Sequence, residues 1–227
     1  MALKPASFIS ETILEKSNVN CERDSAIQML CYSHDDLDHH EEAVKYAQMG
    51  GNYYVTSNEL LCNALRGEER AERCQWNIAS LLELINRNVS FLVPSLDIDE
   101  KIRARKTVIE LYKTAFDDGN FGFYHCRMSK NYMMLARYYM EKGDNESALY
   151  YISESTRHII KYDTMSDGKY TALLFNRIEY KKENTSKNYT SNDSALRLND
   201  LKDKCFDPIR DDARFKEACE KLKAVAK

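Results

Sequence analysis

Two well-separated stretches, Asp24–Gly51 and Ser129–Thr156, carry the same ordered series of large and small apolar residues. In the later stretch the series runs Tyr132, Leu135, Ala136, Tyr139, a turn at Lys142-Gly143-Asp144, then Ala148, Ile152 and Ser155; in the earlier one it runs Ile27, Leu30, Cys31, His34, Ala43, Ala47 and Gly50. Steps of three and four residues put each half on one face of a helix, and the later turn's glycine separates one helix from the next. Small side chains fall where the paired helices must touch. Such a unit cannot bury its face alone, so neighbouring units have to stack on it.

The remaining composition agrees with an all-α fold. Seven Gly and three Pro occur in 227 residues, and nearly all sit between segments of helical periodicity, while a hydrophobic fraction of 43% is enough for a core. Residues 1–227 are read as a single domain. A leading helix at Lys4–Ser17, with Phe8, Ile9, Ile13 and Leu14 facing inward, precedes helical repeats that run to residue 162. Within them, Glu68–Val89 is the longest periodic stretch, through Ile78, Leu81, Leu82, Ile85 and Val89, with Trp76 added; Asp99–Asp117 follows, and a short helix near 56–66 interrupts the alternation. From 163 to 192 the periodicity is lost, which predicts a long polar loop with one short helix at Tyr170–Asn176. Two helices near 193–205 and 211–226 close the array, broken at Asp207-Pro208.

The spacing in both copies resembles the tetratricopeptide repeat, with the departures that Cys31 stands where that family has Gly or Ala and His34 where it has Tyr. The resemblance implies a right-handed superhelix whose first helices line a concave groove. Carried over position by position, it places Lys130, Met133, Arg137 and Met140 in that groove in the second copy, and Ser25, Gln28, Tyr32 and Asp35 in the first. Two cations with two methionines could grip a peptide: the cations hold a carboxylate and the methionines adapt to varied apolar side chains. The other reading of the same residues is ordinary solvated helix surface.

A second resemblance is carried by Tyr162-Asp163-Thr164, Gly168-Lys169-Tyr170-Thr171, Asn176-Arg177-Ile178-Glu179-Tyr180, Asn184-Thr185-Ser186-Lys187-Asn188-Tyr189, and Asp207-Pro208-Ile209-Arg210-Asp211-Asp212 with Phe215. Together these are similar to the C-terminal half of bacterial Xre-type helix-turn-helix transcriptional regulators. The likeness runs from about residue 20 to the end and covers the regulatory half alone, so the chain is expected to be a fragment of a longer regulator or a stand-alone homologue. It implies a cytoplasmic, bacterial domain that senses a peptide or protein partner, or pairs with a second copy of itself. The alternative from another class is a plain adaptor or dimerisation scaffold. Polar residues of the loop, Asp163, Lys169, Tyr170, Asn176, Arg177, Asn184, Lys187 and Asn188, either bind something or satisfy the loop's own backbone, and the second reading is preferred.

Several functions are not expected. A formal charge of −3 provides no global positive field for nucleic acid. No apolar run approaches the roughly 20 residues that span a bilayer. The seven cysteines form no CxxC pair and read as small core residues of a reducing compartment. Phosphate-binding, GxSxG, HExxH and GxGxxG motifs are missing, so neither an enzyme nor a cofactor is expected. The cluster His34, Asp35, Asp36, Asp38, His39, His40, Glu41 and Glu42 has metal-ligand chemistry and keeps a metal-dependent enzyme as a remote alternative. It reads better as an exposed turn, because adjacent His39 and His40 diverge on a helix. His125 and His158 are read as packed or surface residues, and Cys126 as lacking the third group that a nucleophile would need.

Overall fold

The computed structural model describes residues 5–50, 57–181 and 191–227. Among the described residues the chain is mostly helical, with one two-stranded ribbon. It divides into two compact units, Met1–Thr56 and Ser57–Lys227, where the sequence reading expected one array.

The first unit holds α1 (Pro5–Lys16), α2 (Asn20–Asp35) and α3 (His40–Met49). Its centre is Ala26, Ile27, Leu30, His34 and Ala43, all buried. Arg23 on α2 donates to the carbonyls of Leu14 and Ser17, closing the last turn of α1. Phe8 and Ile9, expected on the inner face of α1, are instead 72% and 57% exposed, while Ser10 is buried. A three-turn helix presents a narrow inner stripe, and here it passes through the serine.

The second unit contains α4 (Ser57–Ala64), α5 (Gly67–Leu92), α6 (Ile98–Ala115), α7 (Tyr124–Glu141), α8 (Asn145–Thr164), α9 (Asp193–Asp200) and α10 (Ala213–Lys223). Pro94 lies in the 3-10 turn Val93–Ser95 that ends α5. Asp97 and Glu100 then form a reciprocal capping box that starts α6. The hairpin of α7 and α8 turns at Gly143, whose φ of +75° favours glycine, and Asp144 caps α8 by accepting from the Ser147 amide at 3.0 Å.

Small residues let α7 and α8 approach closely. Ala136 and Ala148 are fully buried, and Ser129 and Ser155 meet side chain to side chain at 3.0 Å. Because the Ser155 hydroxyl donates to the Ser129 carbonyl at 2.9 Å, the Ser129 hydroxyl is the donor between the pair. Helix α7 is buried nearly all round, since it borders two cores. One, centred on Tyr112, Phe116, Met128 and Phe175, joins α5, α6 and α7 to the loop after α8. The other, centred on Met133, Ile152, Phe206 and Leu222, joins α7 and α8 to the C-terminal elements.

The loop differs from its expected form. Gly168–Lys169 pairs antiparallel with Glu179–Tyr180, and turns replace the short helix predicted at Tyr170–Asn176. The physical reason is a long-range anchor. Buried Gln75 on α5 donates to the Leu173 carbonyl and the Asn176 side chain, both at 2.9 Å, and accepts from the Arg177 amide at 2.7 Å. Tyr170 is 3% exposed, and its hydroxyl accepts from the Phe123 amide. Its ring lies so close to Gly122 that a Cβ there would come within 2.6 Å of it. Asn176 and Arg177 thus serve the loop's own docking; Asn184, Lys187 and Asn188 lie outside the described residues. The C-terminal helices are shorter than expected, with the 3-10 turn Lys204–Ile209 carrying Pro208 between them.

Candidate ligand-binding cleft

A cleft of about 1200 Å³ opens in the second unit at the seam of α5 and α7. Helix α5 supplies Trp76, Ala79 and Glu83 to it; the start of α7 supplies Tyr124, Cys126 and Arg127; the ribbon supplies Tyr170, Ile178, Glu179 and Tyr180. The end of α8, the start of α9 and the last residues of the chain complete the rim. Asn192 binds two of these elements together: it caps α9 through Ala195 and donates to the Val225 carbonyl at 2.8 Å.

Glu83 organises the charged wall. Its carboxylate accepts from the buried Tyr112 hydroxyl at 2.9 Å and from Arg127 Nε at 2.7 Å. Burial and Glu83 push the Tyr112 phenol well above its usual range, so it remains a donor. Glu83 engages Arg127 through Nε, and among the described residues nothing engages the terminal guanidinium nitrogens. These are the geometry that a carboxylate or peptide carbonyl requires. Asp163 and Asp193 line the same cleft, and Arg127 is near enough to Asp193 to favour its charged form. Asp163 accepts from the Ser194 amide at 2.6 Å, and the Asp193 carboxyl is raised by burial and by the neighbouring Asp163.

Cys126 does not bring nucleophilic chemistry to the cleft, because burial pushes its thiol up to about 11 and the thiolate is the reactive form. Adjacent His125 faces away from any such role: its Nδ1 meets Nδ1 of His158 at 2.8 Å in the interior.

The groove residues expected from the repeat pattern are dispersed. Gln28 and Tyr32 are exposed on α2 of the first unit, with Tyr32 at 57%. On α7, Lys130 is exposed, but Met133 is 2% exposed within the second core and Met140 packs against that core. Arg137 is paired with Asp200 at 3.5 Å and Asp203 at 3.1 Å. The C-terminal elements cover this end of α7, so Met133 and Arg137 are structural and the open stretch lies nearer its start. Trp76, Glu83, Tyr124 and Arg127 were missed. The available signal was Arg127, three residues before Lys130 and on the same side of the helix.

The acidic and histidine cluster of the first unit is spread apart. His34 is buried against Tyr46, with ring centroids 5.3 Å apart, while His40 meets Asp35 at 3.3 Å in the open. Among the described residues no group of three His, Cys, Asp or Glu side chains is placed to hold a metal ion, and no helix is long and apolar enough to cross a membrane. No family model, curated protein or solved structure matches this chain.

Proposed function

We propose that Ser57–Lys227 is the sensing module of a tetratricopeptide-like regulator, and that its α5–α7 cleft binds a peptide segment of a partner. The regulator is taken to be a cytoplasmic bacterial one, as the likeness to Xre-type proteins implies. The observation that carries this reading is Arg127: a guanidinium held at Nε by Glu83, with its terminal nitrogens unengaged among the described residues, in a cleft also lined by Trp76, Tyr124 and Tyr180. Rings supply apolar contact at low entropic cost, and the guanidinium fixes the register of a backbone carbonyl or carboxylate. A bound segment would alter a regulator's state to the extent that it prefers one arrangement of the chain over another.

Arg127→Met tests the assignment, since methionine keeps the packing of the stem and removes the charge. Peptides selected from a displayed random library on the full chain are expected to bind the variant at least tenfold more weakly in fluorescence anisotropy. That is ~1.4 kcal/mol, the size of one charge-assisted hydrogen bond. Equal affinity for both proteins would remove the cleft from consideration.

A further inference from the structure

Helix α5 is apolar on two opposite faces. Ala79, Leu82 and Val89 turn one face into the core of the unit, beside the buried Gln75. The other face begins under α4: Arg70 donates to the Cys62 carbonyl at 2.8 Å, and the Asn77 side chain donates to the Cys62 sulfur at 3.2 Å. Helix α4 has about two turns and α5 about seven, so that cover ends there. At steps of three and four residues the same face runs on through Leu81, Leu84, Asn88 and Phe91, with Ile85 and Leu92 alongside, and the five apolar side chains are 43–67% exposed. We propose that this stripe is a self-association surface, on which two copies of the chain pair in register along α5 with Asn88 meeting its own counterpart.

Size and composition point to a protein surface as the cover. The five side chains expose on the order of 500 Å² of apolar area, in the upper part of the range for the largest patch on a monomer. Closing two such stripes on each other removes roughly 1000 Å² from water before flanking residues are counted, which reaches the size of a specific interface. None of the six residues is charged, so the stripe offers nothing to a nucleic acid or to a charged peptide.

The pattern argues that the partner is the same stripe on a second copy. Leu81, Leu84, Asn88 and Phe91 alternate steps of three and four, the spacing with which two helices running side by side interlock. Asn88 is the one polar residue of this seam. It returns one N–H to the Leu84 carbonyl at 2.8 Å, which leaves its second N–H and its side-chain oxygen for another amide. An apolar surface would strand those groups, whereas a second Asn88 satisfies them reciprocally, and a single asparagine in an apolar seam fixes the register. Pairing in the same direction also lays the Arg87 stem along Leu92; reversed pairing would set Arg87 against its own copy. Such a contact uses the same patch on both copies and closes as a dimer.

Sedimentation velocity of the full chain tests this. The mass is expected to rise with concentration to twice that of one chain. Phe91→Glu should weaken the association at least tenfold while keeping the far-UV dichroism of the parent, since the position is exposed. Phe8→Glu, also at an exposed position but on α1, should leave the association unchanged, and so should Arg127→Met, which separates this surface from the peptide cleft. Asn88→Asp and Asn88→Lys each bring like charges together in register and should each be monomeric; mixing the two in equal amounts should restore the paired mass. A parent that stays at the mass of one chain, a mass indifferent to Phe91→Glu, or failure of the two Asn88 variants to associate on mixing would overturn the proposal.

Discussion

Phe116→Ala is expected to destabilise the second unit by about 3–5 kcal/mol, the usual range for removing a fully buried phenylalanine. Phe116 follows α6 and is 1% exposed. Its ring centre lies 4.3 Å from that of Phe175, 4.8 Å from Tyr124, 5.3 Å from Tyr170 and 5.8 Å from Phe121. Those four residues belong to the loop after α8, to the start of α7 and to the turn before it. Truncation therefore opens a cavity at the point where the loop meets the helices. The loop contributes the Tyr170 and Tyr180 wall of the cleft, so peptide affinity should drop in the same variant. Urea unfolding gives the stability, and Phe116→Leu, which refills part of the space, should cost less than half as much. A change below about 1 kcal/mol for the alanine would mean that the loop does not rest on this ring.

Acid should weaken the fold in a window set by two histidines. His125 is 8% exposed and His158 1% exposed, and their Nδ1 atoms are 2.8 Å apart. Arg157 donates to Nε2 of His158, which places the His158 proton on Nδ1; that proton is donated to His125, whose own proton must then be on Nε2. Protonating His125 at Nδ1 would set two N–H groups against each other. Burial, then Lys161 and Arg157, depresses His125 from 6.5 to about 4. Burial, then Arg157 and His125, depresses His158 to about 2.

Both native-state values lie below the unfolded value, so the unfolded chain takes up protons first as pH falls. Stability is complete above about pH 6.5 and declines from there down to about 4, where native His125 begins to protonate. His125 alone contributes on the order of 3 kcal/mol to the loss. Carboxylates held low by exposed arginines, such as Glu68 and Glu146, act at more acid pH, below their ordinary value of 4.5. A loss of stability between 6.5 and 4.5 therefore reports the histidine pair, since the raised Asp193 carboxyl acts in the opposite sense as pH falls. Urea midpoints that stay constant across that interval would show that the pair is not buried as a neutral unit.

The parts of this fold that sequence makes legible are those decided within one or two turns of helix. The α7–α8 hairpin follows from Ala136, Ala148, Gly143 and Asp144, each acting on close neighbours. The ribbon could not be read in the same way, because its conformation depends on Gln75, 98 residues before Leu173. A polar glutamine inside an apolar helical pattern gives no hint that it will be buried. Periodicity also identifies a helix face without saying which stretch of it remains open. Arg137 and Arg127 look alike in the sequence; one is claimed by Asp200 and Asp203, the other by Glu83 at the mouth of a cleft. The neutral His125–His158 pair was legible only as two packed or surface residues, since their contact joins different helices.

Trp76 offers the most direct test of the cleft, because it is the one tryptophan in the chain and stands 45% exposed on the α5 side of the opening. Titrating in a peptide selected on the full chain should shift its emission to the blue and saturate at the dissociation constant found by anisotropy. Emission unchanged at saturating peptide would contradict the assignment of the α5–α7 cleft as the binding site.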